Sequence, residues 1–339
     1  MLCPSRQHPM LQSRRSTIPR LLVLALSLAL GACDGADNPL APTGEPAAEP
    51  AAAPNEAVAS GAALTLTGQR ILFMSYKPGM APHIYKMDPQ GNSRTHVTSA
   101  DWESTAGWSW DNKRIALVRQ RPIGNSTQPD IYLINADGSN GHWATATPSP
   151  WPLADPSWSP DGTRIVVRLL VQNGYLGWID VATGNVTAFN VWQGGIQGSR
   201  PSYNPTGQRI IYLGASYKTI EQINADGSGR KTRFSSATWL GDPTSSPDGK
   251  KIAFARAVGT TGNNSEIFVK NLVDGTVKRL TTAAGPDNHP SWSPDGSRIA
   301  FSSQRSGVPQ IWTMNAATGG SLVRITHTAN WEQEPAWTH

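Results

Sequence analysis

Six polar residues recur at one place in a repeated segment of the chain, where they suggest a shared binding surface. They are Thr105, Asp155, Arg200, Asp242, His289 and Glu334. All but Thr105 and Arg200 carry a carboxylate or an imidazole. If the repeats are arranged in a ring, these groups converge on the rim of its central channel, where they could bind a cation, a basic peptide or a sugar. The alternative interpretation is that these positions are polar because loop-to-strand junctions are wet. A strongly shifted pKa among them favours a functional rim.

Catalytic signatures are absent from the rest of the sequence. There is no Gly-x-Ser-x-Gly, no His-Glu-x-x-His and no phosphate-binding glycine-rich loop. The Asp-Gly turns at Asp137, Asp226 and Asp274 each offer one carboxylate, whereas a calcium loop needs alternating acids. The histidines show no ligand spacing. We therefore predict no catalytic residue, no metal ligand and no cofactor, so that the protein is not an enzyme.

The rim residues belong to a strand-turn-strand repeat. Its complete form is Pro290-Ser-Trp-Ser-Pro-Asp-Gly-Ser-Arg-Ile-Ala-Phe301, and four further copies begin at Ala106, Pro156, Pro201 and Pro243. A basic residue precedes the apolar run of every copy at intervals of about 42–50 residues, a period typical of propellers. The Trp and Tyr residues at 108, 158, 203, 292 and 337 are interpreted as inter-blade core rather than as a stacking platform for ligands.

The first and last copies are each half a copy, which predicts how the ring closes. Gly68-Gln-Arg-Ile-Leu-Phe73 lacks the first strand, and Glu334-Pro-Ala-Trp337 is that strand without the rest. An open solenoid has atypical repeats at its ends, whereas a closed ring can divide one blade between its termini. We therefore predict an all-β fold, a six-bladed β-propeller closed by pairing of the N- and C-terminal strands.

The N-terminal fifth of the sequence predicts an anchor and a tether. Residues 1–32 combine arginines with the apolar run Leu21–Leu30, which is too short to span a bilayer. This combination predicts a signal peptide. Leu30-Gly-Ala-Cys33 resembles a bacterial lipobox, which makes Cys33 the lipidated residue; the alternative is an ordinary signal peptide with a chance cysteine. The Ala/Pro-rich residues 33–67 predict a disordered tether, and residues 68–339 the propeller.

Composition restricts the partners. The formal net charge is +5, but four arginines lie in the predicted signal peptide, and there is no basic stripe or nucleic-acid motif. Without the signal peptide the chain has no second cysteine, so no disulfide is predicted. We expect a monomer on the periplasmic side of a bacterial envelope, with the inner or outer membrane left open, and no nucleic acid as partner.

The repeat resembles the WD40-like Pro-Asp repeat of TolB propellers. The shared pattern is Pro-x-Trp-Ser-Pro-Asp-Gly-x-x-Ile-x-Phe followed by Ile-Tyr/Trp-x-Met and Asp-Gly, over roughly residues 68–339. The resemblance implies a propeller of the cell envelope that binds another envelope protein. TolB proteins also carry an N-terminal α/β domain, for which residues 34–67 are too short.

Three functional hypotheses follow. The first is a lipid-anchored envelope propeller that binds a protein or peptide on one face, in envelope integrity or transport. The second is a carbohydrate- or metal-binding propeller, lyase-like or a sugar sensor, that uses the channel rim residues Asp155, Arg200, Asp242, His289 and Glu334. The third is a structural spacer, which requires that the loop faces be featureless.

Overall fold

In the computed structural model, the described residues are 68–98, 100, 102–172, 174–189, 195–259 and 264–339. Within these ranges all regular structure is β-strand, and no helix of a length and apolarity able to cross a bilayer occurs. The predicted signal peptide, Cys33 and the tether lie outside the described residues.

The described strands form six four-stranded antiparallel sheets, the predicted six blades. The inner strands are β4 (Glu103–Trp108), β8 (Leu153–Trp158), β12 (Gly198–Tyr203), β16 (Leu240–Ser245), β20 (Asp287–Trp292) and β24 (Trp331–Trp337). The second strands are β1 (Ile71–Tyr76), β5 (Arg114–Ile123), β9 (Arg164–Leu169), β13 (Arg209–Gly214), β17 (Lys251–Val258) and β21 (Arg298–Ser303). The third strands are β2 (His83–Met87), β6 (Ser126–Asn135), β10 (Tyr175–Asp180), β14 (Thr219–Asn224), β18 (Asn264–Asn271) and β22 (Gln310–Asn315). The outer strands are β3 (Thr95–His96), β7 (His142–Trp143), β11 (Val186–Ala188), β15 (Lys231–Ser235), β19 (Val277–Arg279) and β23 (Val323–Arg324).

Closure of the ring follows the prediction. The C-terminal strand β24 pairs antiparallel with β1, and together with β2 and β3 they make one blade. The register places Ile71 opposite Trp337 and Tyr76 opposite Trp331. Since both ends of the ring belong to one sheet, opening the ring requires the loss of this strand pairing.

The Ser-Pro-Asp-Gly turns are held by their own side chains. In the last complete repeat, the Ser293 hydroxyl donates to Asp295 at 2.6 Å and accepts the backbone N–H of Arg298 at 2.9 Å. Gly296 follows with a φ of 68°, a conformation that glycine adopts at little cost. The turn is therefore held by contacts between residues that are close in the sequence.

One turn uses a different pair of residues to the same effect. Asn204 accepts the backbone N–H of Arg209 at 2.9 Å, and its amide donates to the Thr206 hydroxyl at 2.8 Å. In the other turns a serine hydroxyl donates to an aspartate, whereas here an amide donates to a threonine. The two replacements compensate each other, which explains why they occur together.

The core lies between adjacent blades. Second strands are apolar on successive residues because both faces are covered, and Ile115, Ile165, Ile210, Ile252 and Ile299 are completely buried. The repeat aromatics are buried in the same clusters, with Trp158 only 1% exposed. They pack as inter-blade core, which agrees with their interpretation from the sequence.

Candidate functional site

The rim residues lie inside the inner strands, not directly before them as the sequence suggested. Each occupies a β-bulge in its inner strand, where the register with the second strand shifts. Each has a positive φ, and the values run from 38° at Thr105 to 54° at His289. A left-handed backbone costs a non-glycine residue roughly 1–2 kcal/mol. Because all six blades share this strain, it belongs to the architecture of the ring.

The bulge turns these side chains towards the channel. In five blades the next residue is proline: Pro156, Pro201, Pro243, Pro290 and Pro335. Proline has no N–H to contribute to the strand ladder, so a bulge at this point sacrifices no hydrogen bond. The six inner strands together line a central cavity of about 200 Å³ with the rim residues at one end.

Acidic and non-acidic rim residues alternate around the ring. Asp155 accepts the backbone N–H of Arg200 at 3.1 Å, and Asp242 accepts that of His289 at 3.3 Å. Glu334 accepts that of Thr105 at 3.1 Å. Each carboxylate thus caps the rim residue of the next blade. The same alternation is visible in the sequence as the order Thr, Asp, Arg, Asp, His, Glu. It was not used there to predict these hydrogen bonds.

Arg200 ties the three carboxylates together across the mouth. Its guanidinium lies 3.0 Å from Glu334, 3.2 Å from Asp242 and 3.5 Å from Asp155. Burial works to lower the pKa of Arg200, but the three carboxylates outweigh it and raise that pKa. The guanidinium therefore stays charged, and it takes the position that a metal ion bound by these acids would need.

Glu334 and His289 complete the site. The imidazole Nε2 of His289 lies 3.7 Å from Asp242 and 3.8 Å from Glu334. Burial acts to raise the pKa of Glu334, but Arg200 and His289 hold it at about 2. Three carboxylates face one guanidinium and one imidazole, so the mouth carries a net negative charge. Such a mouth can accept a further cationic group.

Exposed apolar side chains lie in loops at the rim end of the inner strands. Trp102 is 61% exposed and Met80 62%, and Trp239 and Tyr217 are exposed as well. They form two patches, because the loops that carry them are joined by backbone hydrogen bonds from Glu103 to Pro82 and from Leu240 to Tyr217. Exposed large aromatics near a concave charged mouth are typical of protein-binding surfaces. This loop face is therefore not featureless, contrary to the requirement of the spacer hypothesis.

Buried ion pairs within three of the blades were missed by the sequence analysis. Glu103, Asp287 and Glu332 have no exposed side-chain surface and pair with Arg119, Arg305 and Arg94 respectively. Burial raises the pKa of each carboxyl group. Each acid stands two residues before a rim residue. This spacing is the feature of the sequence from which the three acids could have been found. Each pair lies within one blade and does not line the channel mouth.

Two histidines that looked unrelated in the sequence meet on the outer side of the first blade. The rings of His83 and His96 are 5.2 Å apart, and His96 also stacks on Tyr85 at 4.7 Å. Burial lowers the pKa of His96, and His83 and Arg94 lower it further. Within the described residues, no group of three or more His, Cys, Asp or Glu side chains has a geometry that suits a metal ion.

Comparison with known proteins shows what the ring is similar to. The TolB beta propeller domain family matches residues 200–339. The crystal structure of TolB from Acinetobacter baumannii superposes with a TM-score of 0.67 at 22% identity, over 79% of this chain and 66% of that one. The chain carries a TolB-like β-propeller. A putative TolB from Agrobacterium tumefaciens shares the fold at a TM-score of 0.60 and 16% identity, over 79% of this chain and 92% of that one.

A curated relative extends the similarity of the TolB-like propeller to sequence. The Tol-Pal system protein TolB of Francisella tularensis subsp. holarctica is 28% identical over 263 residues. The match covers 62% of this chain and 59% of the relative. The chain thus spans somewhat more than half of the curated relative that it matches.

Proposed function

We propose that the TolB-like propeller is a lipid-anchored protein of the bacterial cell envelope that binds another envelope protein or peptide. The observation that carries the proposal is the channel mouth, where three carboxylates share one guanidinium inside a face of exposed aromatics. Such a surface combines apolar contact area with a charge that selects a basic group. The names of the curated relatives, Tol-Pal system protein TolB, agree with an envelope role.

The carbohydrate- or metal-binding alternative has less support. Arg200 already engages all three rim carboxylates, and their remaining oxygens accept backbone N–H groups of the neighbouring blades. A sugar or metal ion has to displace these contacts before it can bind. A partner protein can instead use the aromatic patches and add a single cationic side chain to the mouth.

The protein is proposed to act as a monomer. The outer strands of the blades are only two to five residues long. Two of them, Lys231–Ser235 and Val277–Arg279, carry several basic residues. Short, charged edge strands are poor templates for pairing with a second copy.

Site-specific photo-cross-linking tests the binding face in cells. A photoreactive phenylalanine analogue is placed at Trp102 or Trp239 on the proposed face, and at Val273, 77% exposed in a turn at the opposite end of the blade, as the matched control. The same adduct is expected from positions 102 and 239 and not from position 273. Absence of a specific adduct from both tryptophan positions, or an equal adduct from position 273, contradicts the proposal.

Lipid anchoring has a matched control within the chain, because its two cysteines are Cys3 and Cys33. Cys33→Ala is expected to release the protein from membranes, since the acyl chains are its proposed link to the bilayer. Cys3→Ala is expected to leave it membrane-bound. Fractionation with and without detergent measures both, and a Cys33→Ala protein that still needs detergent for release refutes the anchor.

A further inference from the structure

One blade lacks the aromatic side chain that the other five blades carry at the last residue of the inner strand. The last position of the repeat's inner strand pairs with a buried isoleucine in every blade. The pairs are Trp108 with Ile115, Trp158 with Ile165, Tyr203 with Ile210, Ser245 with Ile252, Trp292 with Ile299, and Trp337 with Ile71. Ser245 is therefore structurally equivalent to five buried aromatic residues.

The equivalent indoles show what a ring at this position contacts. The Trp292 indole donates to the carbonyl of Thr244 at 3.3 Å, and the Trp108 indole donates to that of Ala336 at 3.2 Å. In both cases the acceptor directly precedes the aromatic position of the previous blade. The other two equivalent tryptophans differ, since Trp337 donates to the Gln69 side chain at 2.9 Å and the Trp158 indole has no partner among the described residues. A ring in the place of Ser245 that follows Trp108 and Trp292 donates to the carbonyl of Ser202.

The space next to Ser245 opens into a cavity of about 260 Å³, which residues of five blades line at the end of the channel opposite the rim. Tyr203, Trp292, Pro247 and Trp110 contribute to its walls. No side chain of Asp, Glu, Lys or Arg lines it among the described residues, so these side chains offer a charged ligand no counterion. The His339 imidazole is part of the wall, and burial lowers its pKa to about 4. An apolar cavity of about 150 Å³ is enough to bind benzene, so this one has room for a bicyclic ring.

Tyr203, whose ring contributes to this wall, has its hydroxyl on the side of Arg164 and Asp161 in the preceding blade. Tyr203 is 4% exposed, and its hydroxyl makes no hydrogen bond to another described residue. Burial raises the pKa of Tyr203 to about 12, so the phenol is neutral at physiological pH. Because the phenol lies beside charged residues of the preceding blade, it does not serve as a binding group for a ligand next to Ser245.

We propose that this cavity, here called the Ser245 pocket, binds a small, neutral, flat aromatic molecule of the indole type with one hydrogen-bond donor. Its flatness matches the ring that the repeat places there in five blades, and its donor matches the carbonyl of Ser202. Residues 34–67 contain no aromatic side chain, so this preceding segment does not supply the ring. The pocket lies at the other end of the channel from the proposed partner-binding face and does not depend on it.

Filling the pocket with the residue of the repeat tests the proposal. Indole is titrated into the detergent-solubilised full-length protein by isothermal titration calorimetry and ligand-observed NMR. The wild type and Ser245→Ala are expected to bind indole with similar affinity, because both leave the pocket open. Ser245→Trp is expected to weaken binding by about ten-fold or more, because its own ring occupies the site. The same variant is expected to raise the Tm, as cavity filling commonly does.

Ser245→Leu provides a second filling variant if Ser245→Trp does not fold, and circular dichroism checks both. N-acetyl-tryptophanamide is titrated in parallel; tighter binding than indole assigns the natural ring to a peptide, and weaker binding assigns it to a free molecule. The proposal is overturned if indole does not bind the wild type. It is also overturned if the folded filling variants bind indole as well as Ser245→Ala does.

Discussion

The indole of Trp110 stacks on the imidazole of His339, with ring centroids 4.0 Å apart and an interplanar angle of 6°. Beside this stack, the Asn112 side chain donates to the backbone carbonyl of His339 at 2.8 Å and accepts its N–H at 3.0 Å. Trp110 and Asn112 stand where other repeats have proline and glycine. The most divergent repeat is thus the one that holds the residues following the closing strand.

A double-mutant cycle measures this contact. Trp110→Ala and His339→Ala are each expected to lower the free energy of unfolding, and Trp110→Ala by more because its indole also donates to the carbonyl of Trp158 at 3.1 Å. The coupling between the two is expected to be about 0.5–1.5 kcal/mol, as for other aromatic pairs. Urea unfolding gives all four values, and additive effects contradict a direct stacking contribution.

Removal of residues 330–339 is expected to destabilise the whole ring. The truncation takes away β24, so that β1 loses its inner partner and Trp108 loses the carbonyl of Ala336. A synthetic peptide of residues 330–339, added in trans, is expected to restore part of the Tm because it can pair with β1. Circular dichroism melts measure both effects, with a scrambled peptide as the control. An unchanged Tm after truncation disproves closure by this strand.

Arg200→Met is expected to destabilise the protein and to create a cation site. The change leaves Asp155, Asp242 and Glu334 without their shared guanidinium, and breaking buried ion pairs costs about 3–5 kcal/mol, less where the group is partly exposed as here. Millimolar Ca²⁺ is expected to raise the Tm of this variant and not that of the wild type. Exposed Lys218, changed to Met, serves as the control. A calcium response of the wild type equal to that of Arg200→Met contradicts the assigned role of the guanidinium.

Acid is expected to weaken the ring through Glu334. The folded protein holds the pKa of this carboxyl group at about 2, below the ordinary value of 4.5. The unfolded chain therefore binds the proton first, and the stability that Glu334 contributes is present above pH 4.5 and is lost as the pH falls towards 2. Urea unfolding at a series of pH values should show a smaller decline in Glu334→Gln than in the wild type. Equal declines in the two proteins refute this contribution.

Glu103, Asp287 and Glu332 act with the opposite sign. Burial raises the pKa of each in the folded state, so their contribution is greatest at low pH and decreases as the pH rises through their folded pKa values. The overall pH profile is the sum of both classes. The comparison of the wild type with Glu334→Gln isolates the contribution of the rim, because both proteins retain these three acids.

The amino-acid sequence by itself determined the number of blades, the turns and the closing strand. These features are local or repeat at a fixed interval: Ser293, Asp295 and Gly296 form a turn from their own side chains and backbone. Their repetition counts the blades, and the half copies at Gly68–Phe73 and Glu334–Trp337 supply the two strands that pair. The set of rim residues followed from the same periodicity.

The tertiary structure decided how the rim residues interact. Arg200 and Glu334 are 134 residues apart in sequence, and only closure of the ring brings the guanidinium within 3.0 Å of the carboxylate. The same holds for Trp110 and His339, and for the exposed tryptophans that share one face of the ring. Such contacts depend on the relative positions of blades. The sequence pattern specifies each blade by itself, whereas the direction and partner of each polar side chain depend on the bulges and on the neighbours that the closed ring provides.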